Sequence, residues 1–194
     1  MRIVAGTARG RSIEAPQGMD TRPTLDRVRE SLFNILQPRL YDARVLDLFA
    51  GSGALAFEAL SRGAAFAVLA DHDRAANRCE VKNAEKLGFQ SRTRILCCDW
   101  SVALSRLGGE RFDLVLLDPP YAMTDLSAVT EALKPLLQPG ALLVVEHPAG
   151  KPALVAEGYQ LTDSRHYGIA GLSFYALSVA AATVPPANSL SQLR

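Results

Sequence analysis

The stretch V45-L-D-L-F-A-G-S-G-A-L-A-F-E58 decides the fold, because an apolar strand runs directly into a glycine turn that opens a helix. Gly51 and Gly53 let the backbone turn tightly and approach a ligand closely, where a Cβ atom would collide. A glycine pair is a weak signal by itself, and Ala56 replaces the third glycine of the dinucleotide-binding fingerprint. The stretch therefore predicts a nucleotide-type loop, with a plain strand-to-helix turn as the alternative.

Short apolar runs and amphipathic stretches alternate on both sides of this loop. The runs are apolar throughout, which is typical of parallel strands covered on both faces. Strands and helices in alternation predict a doubly wound, mostly parallel α/β sheet with right-handed crossovers. The predicted strands are 44–49, 65–70, 94–98, 112–117 and 141–146, and the predicted helices are 54–62, 74–87, 101–107 and 126–137.

The N-terminal part departs from this alternation. Residues 1–23 form an extension that reads as a small strand or hairpin followed by a loop. Three arginines in it precede the first acid, Glu14, but so small a cluster is only a weak indication of nucleic-acid contact. A helix is predicted over 24–36, with Thr24 as a plausible N-cap.

The C-terminal part also changes character. A short helix is expected at 151–156, and strands are expected at 159–162 and 172–179, joined by a polar loop over 163–171. Such a hairpin would complete a seven-stranded sheet with an antiparallel edge. The last stretch, 180–194, combines small residues, two prolines and polar side chains, so a disordered tail is expected there.

Composition limits the classes of protein that remain. The chain has 194 residues, of which 48% are hydrophobic and 21% charged, and its net charge is +1. This length and composition predict one main globular domain, over 24–179. No apolar run approaches the roughly 20 residues that span a bilayer, and no signal peptide is visible, so a cytoplasmic monomer is expected. The three cysteines, Cys79, Cys97 and Cys98, lack disulfide or zinc-ligand spacing, so we expect buried thiols and no metal.

Acids at the ends of successive strands indicate the ligand. Asp47 precedes Gly51 by four residues, where it would repel a pyrophosphate but favour a cationic amino-acid ligand such as S-adenosylmethionine. Asp71 lies 20 residues beyond Gly51 and can take both ribose hydroxyls. Asp99, after the next strand, could accept from the adenine amino group or could cap a helix, and Asp73 is interpreted as a helix cap.

The tetrapeptide D118-P-P-Y121 follows the fourth predicted strand and is the strongest signal. In an open α/β sheet the ligand lies outside the carboxyl ends of the strands, so this motif should face the glycine loop. The Asp118 carboxylate and the Pro119 carbonyl are two fixed acceptors for an exocyclic amino group, and Tyr121 offers a face on which an extruded base can stack. We expect an ordinary carboxylate pKa for Asp118, and therefore electrostatic stabilisation rather than proton transfer.

With these motifs the chain resembles the bacterial small-subunit (16S) ribosomal RNA guanine-N2 methyltransferases of the RsmD family, from about residue 2 to residue 179. The resemblance is carried by R2-I-V-A-G-T-A-R-G-R11, T21-R-P-T-L-D-R-V-R-E-S-L-F-N34, the loop D47-L-F-A-G-S-G53 and D118-P-P-Y121. The second block is the most specific, because many amino-methyltransferases share the other motifs.

The resemblance implies a Rossmann-like class I methyltransferase that converts S-adenosylmethionine to S-adenosylhomocysteine, with ribosomal RNA of a small subunit as its partner. It implies cofactor contacts from Asp47, Gly51, Gly53, Asp71, Asp99 and Thr24. It implies a base held by Asp118, Pro119 and Tyr121. It implies RNA contacts from Arg9, Arg11, Arg22, Arg27 and Arg29.

Other functions remain open at this point. A DNA adenine-N6 or cytosine-N4 methyltransferase also fits the tetrapeptide, although no separate DNA-reading domain is visible. Protein glutamine methyltransferases usually carry asparagine where Asp118 stands. A non-catalytic RNA-binding module would not need Asp118 and Tyr121 together. The sequence assigns no role to Glu146 or to the histidines His72, His147 and His166.

Overall fold

One seven-stranded sheet forms the centre of the protein. The computed structural model describes residues 1–16 and 23–178, and only the backbone of 23–26; the predicted tail, 180–194, lies outside the described residues. The strands are β1 Arg44–Leu48, β2 Phe66–Asp71, β3 Thr93–Cys97, β4 Phe112–Leu117, β5 Leu137–Pro148, β6 Tyr159–Tyr167 and β7 Ala170–Leu177. The α-helices are α1 Pro23–Leu36, α2 Ala54–Ser61, α3 Arg74–Leu87, α4 Trp100–Arg106 and α5 Ser127–Leu133.

The strand order is β3-β2-β1-β4-β5-β7-β6, with β7 antiparallel to both of its neighbours and the other pairs parallel. The predicted doubly wound sheet with an antiparallel C-terminal edge is therefore confirmed. The chain reverses its direction of winding between β1 and β4, and a ligand crevice forms at such a switch point, outside the carboxyl ends of the strands.

The hydrophobic core lies on both faces of the sheet. On one face Val45 packs with apolar residues of α1, α2 and α3, and on the other Leu46 and Leu48 pack with residues of α4 and α5. Successive residues of a strand point to opposite faces, so a strand buried on both sides must be apolar throughout. Burial on both faces explains why the central strands read as unbroken apolar runs.

The N-terminal hairpin is attached to α2 by a buried carboxylate. Arg2 and Ser12 form an antiparallel bridge, and Glu58, fully buried on α2, accepts hydrogen bonds from the backbone N–H groups of Val4 (2.7 Å) and Ala5 (3.0 Å). The same carboxylate pairs with the Arg62 guanidinium at 2.7 Å. These contacts hold the hairpin against the domain, next to the glycine loop that follows β1.

Some local predictions were wrong. The expected helix at 151–156 is extended chain, because Leu154 bonds the backbone on both sides of Asp125 instead of its own turn. The expected loop at 163–171 is mostly strand. β6 continues to Tyr167, and its polar residues are typical of an edge strand, which has one unpaired side.

Three smaller predictions also need correction. The helix α1 starts at Pro23, so Thr24 lies inside the helix and is not its N-cap; proline suits the first turn because its missing N–H has no helical partner. The helix predicted over 126–137 ends at Leu133 and continues as a 3₁₀ turn. Cys97 is exposed rather than buried. In the described ranges, no helix is both long and apolar enough to cross a bilayer.

Candidate active site

A cavity of about 410 Å³ opens where β1, β2, β4 and β5 end. Its volume falls in the range of about 300–1,000 Å³ that is typical of small-molecule sites. The sequence-predicted residues that line it are Asp47, Gly51, Asp71, Asp118, Pro119, Tyr121 and Arg29. The glycine loop and the tetrapeptide therefore face the same space, although they are nearly 70 residues apart in the chain.

Gly53 shapes the loop without lining the cavity. It has a φ of +75° and caps α2, and a Cβ atom there would lie 2.4 Å from the Phe57 ring and 2.7 Å from the Leu69 side chain. Only glycine fits both the backbone conformation and the space. Phe49 also has a positive φ, of 63°, which is uncommon for a residue with a side chain, and it lines the cavity.

Asp47 is a fully buried carboxyl group at the end of β1. One oxygen accepts from the Ala56 N–H at 3.0 Å, and the other has no hydrogen-bond partner among the described residues. Burial, reinforced by the nearby Asp118 and Asp71, raises the pKa of Asp47 to about 8. A cationic ligand group in the cavity would satisfy the free oxygen and favour the ionised carboxylate.

Asp71 both supports the glycine loop and lines the cavity. Its two oxygens accept from the backbone N–H groups of Gly51 and Asp73, each at 2.9 Å. A carboxylate has about four acceptor positions, so each oxygen can still accept from a ligand hydroxyl. Asp73 caps α3 by accepting from the Ala75 N–H at 2.8 Å, as predicted.

Asp99 lies outside the cavity lining. It caps α4, accepting from the backbone N–H of Ser101 at 2.9 Å and from its hydroxyl at 2.7 Å. These hydrogen bonds hold the pKa of Asp99 below its usual value. The structure thus shows the capping role that the sequence left as an alternative, and the adenine contact stays a prediction.

Asp118 and Tyr121 line the cavity at the ends of β4 and β5, whereas the glycine loop lines it at the ends of β1 and β2. Burial raises the pKa of Asp118 to about 6, so the expectation of an ordinary carboxylate pKa was wrong. Tyr121 is 51% exposed, which leaves its ring available for stacking. Burial and the two nearby carboxylates Glu146 and Asp118 raise the pKa of the Tyr121 hydroxyl.

Glu146 is the site residue that sequence reasoning missed. Leu117 pairs with Val145 in adjacent parallel strands, so Asp118, directly after β4, lies beside Glu146 near the carboxyl end of β5. Both line the cavity, and burial together with the Asp118 charge raises the pKa of Glu146 to about 8. The available signal was an acid that ends an apolar strand, as Asp47 and Asp71 also do.

The histidine after Glu146 is packed inside the sheet. His147 is buried, and its Nε2 lies 2.8 Å from the Ser173 hydroxyl across the β5–β7 pair. A Cβ at Gly171 would lie 2.3 Å from the ring, so the neighbouring strand leaves room only for glycine. This side chain therefore packs within the sheet.

The five predicted RNA-contacting arginines have different surroundings. Arg29 is buried, lines the cavity and donates to the Arg2 carbonyl at 2.7 Å. Arg11 is exposed but donates to the carbonyls of Lys86 and Leu87 at the end of α3. Arg9 and Arg27 are exposed, whereas Arg22 and the side chain of Thr24 lie outside the described residues.

The sheet order, the glycine loop and the acid-lined cavity at the switch point define the Rossmann-like fold of S-adenosylmethionine-dependent methyltransferases. The solved structure of the putative methyltransferase yhhF from Escherichia coli superposes with a TM-score of 0.78 at 36% identity, covering 92% of this chain and 98% of that one.

The sequence comparisons specify the family. A family model described as "Conserved hypothetical protein 95" matches residues 1–176, and the chain belongs to this family, that of RsmD and YlbH. The putative rRNA methyltransferase YlbH of Bacillus subtilis is 34% identical, covering 90% of this chain and 98% of its own. The ribosomal RNA small subunit methyltransferase D of Haemophilus influenzae is also 34% identical, covering 90% and 93%.

Proposed function

We propose that this protein transfers a methyl group from S-adenosylmethionine to the exocyclic N2 of a guanine in small-subunit ribosomal RNA. One observation carries the proposal: Asp47 and Asp71 on one side, and Asp118 with Tyr121 on the other, line a single cavity. The names of the related proteins from Haemophilus influenzae and Bacillus subtilis support rRNA as the substrate.

The cofactor side of the cavity suits a cationic nucleoside. The partnerless oxygen of Asp47 would accept from the ammonium of the methionine part, directly or through water. Asp71 would accept from the ribose hydroxyls while it keeps its bonds to the loop. Gly51 lines the cavity, and its missing side chain leaves room for the ligand.

The other side suits an amino group on a flat base. Asp118 and the Pro119 carbonyl would accept its two N–H bonds, which favours a pyramidal nitrogen with an available lone pair. Tyr121 would hold the base by stacking, which stabilises binding by about 1–3 kcal/mol per base. Two prolines, Pro119 and Pro120, fix the backbone of this segment, so the acceptors are held in place before the base arrives.

The bound cofactor supplies an electrophilic methyl on a sulfonium, whose sulfur keeps the electron pair of the broken bond. The amino nitrogen forms the new bond with its lone pair and becomes positively charged. Asp118 stabilises that charge and, with a pKa near 6, can accept the proton that the nitrogen then releases. In-line alignment of both reactants supplies much of the remaining acceleration.

RNA contact is proposed for the exposed arginines. Arg9 lies on the N-terminal hairpin and Arg27 on α1, the two elements that adjoin the cavity through Met1 and Val28. Arginine suits phosphate because its planar group donates two parallel hydrogen bonds. Arg29 and Arg11, which contact backbone carbonyls, would act on RNA through the positions of the hairpin and α1.

Labelled S-adenosylmethionine tests the proposal directly. The protein is incubated with assembled small subunits, naked 16S rRNA or DNA, and the labelled nucleosides are identified after digestion. We expect N2-methylguanosine from ribosomal RNA. Label in N6-methyladenine or N4-methylcytosine of DNA would support the rival DNA methyltransferase instead, and cofactor binding without transfer to any substrate would indicate a binding module.

A further inference from the structure

Glu146 is an acid in the cavity that the proposed reaction does not yet use. It lies at the carboxyl end of β5, beside Asp118 on β4, and it also borders a second, smaller space lined by Tyr121, His147 and Lys151. Within the described part of the chain, the side-chain carboxyl groups of Glu146 and Asp118 have no hydrogen bond or ion pair with another residue. Two half-buried carboxyl groups are thus available to whatever enters the cavity.

We propose that Glu146 accepts a hydrogen bond from N1–H of the target guanine while Asp118 accepts from the adjacent N2–H. The inference rests on the proposed function and extends it, because it makes Glu146 a specificity-determining residue for guanine. The two carboxyl groups would read two neighbouring donors on one edge of the base.

The chemistry of the bases explains why this pair selects guanine. Guanine carries N1–H next to its amino group, so two donors lie side by side. Adenine carries a lone pair at N1 beside its N6 amino group, and cytosine carries one at N3 beside its N4 amino group. Above its pKa of about 8, Glu146 is an ionised carboxylate, and such a group is repelled by a lone pair opposite it, which penalises both competitors. A flipped base is read on this edge by hydrogen bonds.

The electrostatics of the cavity support the pairing. Burial raises the pKa of Asp118 to about 6, and burial together with the Asp118 charge raises the pKa of Glu146 to about 8. Two adjacent N–H donors would stabilise both ionised groups at once. A base that offers only one donor leaves the second acceptor without a hydrogen bond. A site built for two hydrogen bonds rejects most strongly those bases that can make only one of them.

The test changes the base on one side and residue Glu146 on the other. The target guanine, located first by nucleoside mapping, is replaced in reconstituted small subunits by 2-aminopurine, which keeps the 2-amino group but lacks the 6-oxygen and has a lone pair at N1. At pH 8.5, where the Glu146 carboxyl group is mostly ionised, we expect kcat/KM of the unaltered protein to be about 10–100-fold lower with 2-aminopurine than with guanine. In Glu146→Gln the side-chain amide can donate to that lone pair, so the ratio should fall toward one.

Glu157→Gln is a matched control, because Glu157 is exposed on the segment before β6. It should keep the ratio of the unaltered protein. Thermal unfolding and the Kd for S-adenosylmethionine are measured for both variants, so that a folding defect is recognised.

An unchanged guanine-to-2-aminopurine ratio in Glu146→Gln overturns the proposal, whatever happens to the rate. A purely structural Glu146 would lower both rates equally and leave that ratio in place. If the unaltered protein methylates another base and no guanine, the proposed function and this inference both fail. If it methylates guanine but the ratio does not change, only the inference fails.

Discussion

The two sides of the cavity hold their acids in different ways. On the cofactor side, Asp71 accepts from two backbone N–H groups and Asp47 from one, so these carboxyl groups are held by the backbone in and around the glycine loop. On the base side, the side-chain carboxyl groups of Asp118 and Glu146 have no hydrogen bond to the rest of the described protein. Asp47 and Asp71 are held in place before a ligand binds, whereas the carboxyl groups of Asp118 and Glu146 gain hydrogen bonds only from the substrate.

This contrast predicts which substitutions change binding and which change chemistry. Removing a cofactor-side acid disturbs both the ligand and the loop, so the effect should appear as lost cofactor affinity. Removing a base-side acid leaves the fold intact and should appear in turnover or in substrate choice. Three substitutions test this difference, and a fourth tests a buried acid outside the cavity.

The largest effect is expected for Asp118. Loss of one positioned acceptor at a developing charge typically lowers kcat by about 10²–10³. We expect that loss for both Asp118→Ala and Asp118→Asn, measured as methyl transfer at saturating cofactor and subunits. The Kd for S-adenosylmethionine should stay the same, and near-normal kcat in both variants would remove Asp118 from the reaction.

Asp71→Ala should act through cofactor binding. Hydrogen bonds to a charged group contribute about 1.5–3 kcal/mol, so the Kd for S-adenosylmethionine should rise roughly 10–100-fold. Isothermal titration calorimetry measures this change. Asp73→Asn is the control, because asparagine can still cap α3 and the Kd should not change. An unaltered affinity in Asp71→Ala would contradict the ribose assignment.

Tyr121 should affect RNA binding through its ring. Tyr121→Ala should raise KM for the RNA substrate about tenfold, as expected from the loss of about 1–3 kcal/mol of stacking. Tyr121→Phe keeps the ring and should be nearly unchanged. Steady-state kinetics with varied subunit concentration distinguishes the two. Equal defects in both variants would show that the hydroxyl, rather than the ring, matters.

The smallest effect concerns stability rather than activity. Glu80 on α3 is buried outside the cavity lining, and burial raises its pKa to about 8. Between its ordinary pKa and about 8 the folded protein retains a proton that the unfolded chain releases, so stability falls as pH rises through that window. Glu80→Gln should reduce this fall and stabilise the protein by about 1 kcal/mol at pH 8.

Denaturant unfolding at pH 5.5 and pH 8 checks the Glu80 prediction, with and without S-adenosylmethionine. Activity at neutral pH should be unchanged, because Glu80 does not reach the cavity. A stability that falls equally with pH in both proteins would show that other acids, such as Asp47, cause the dependence.

The sequence predicted the fold of the sheet well, because burial on both faces forces unbroken apolar runs. The prediction was wrong where contacts between residues far apart in the chain determine the local structure. The polar residues of β6 read as a loop because only pairing with β7 makes them a strand. Residues 151–156 read as a helix, although Leu154 bonds the backbone beside Asp125.

The sequence predicted which residues would lie at the cavity where a short motif fixes their position next to a strand end. Asp47, Gly51 and Asp118 each stand beside a strand end or turn that the chain itself marks, so their common position followed from the fold rule. Glu146 was missed because its role depends on the register between β4 and β5. The raised pKa of Asp118 depends on burial in the assembled cavity, which no local stretch encodes.

The most direct test of a shared donor and acceptor cavity is a crystal structure with S-adenosylhomocysteine and a guanosine-containing RNA. We expect the thioether sulfur to lie between the glycine loop and Asp118, and a guanine N2 to be hydrogen-bonded to Asp118. A methyl group built onto that sulfur should lie about 3–3.5 Å from N2. A sulfur directed away from Asp118, or a guanine bound elsewhere, would contradict the proposal that donor and acceptor share one cavity.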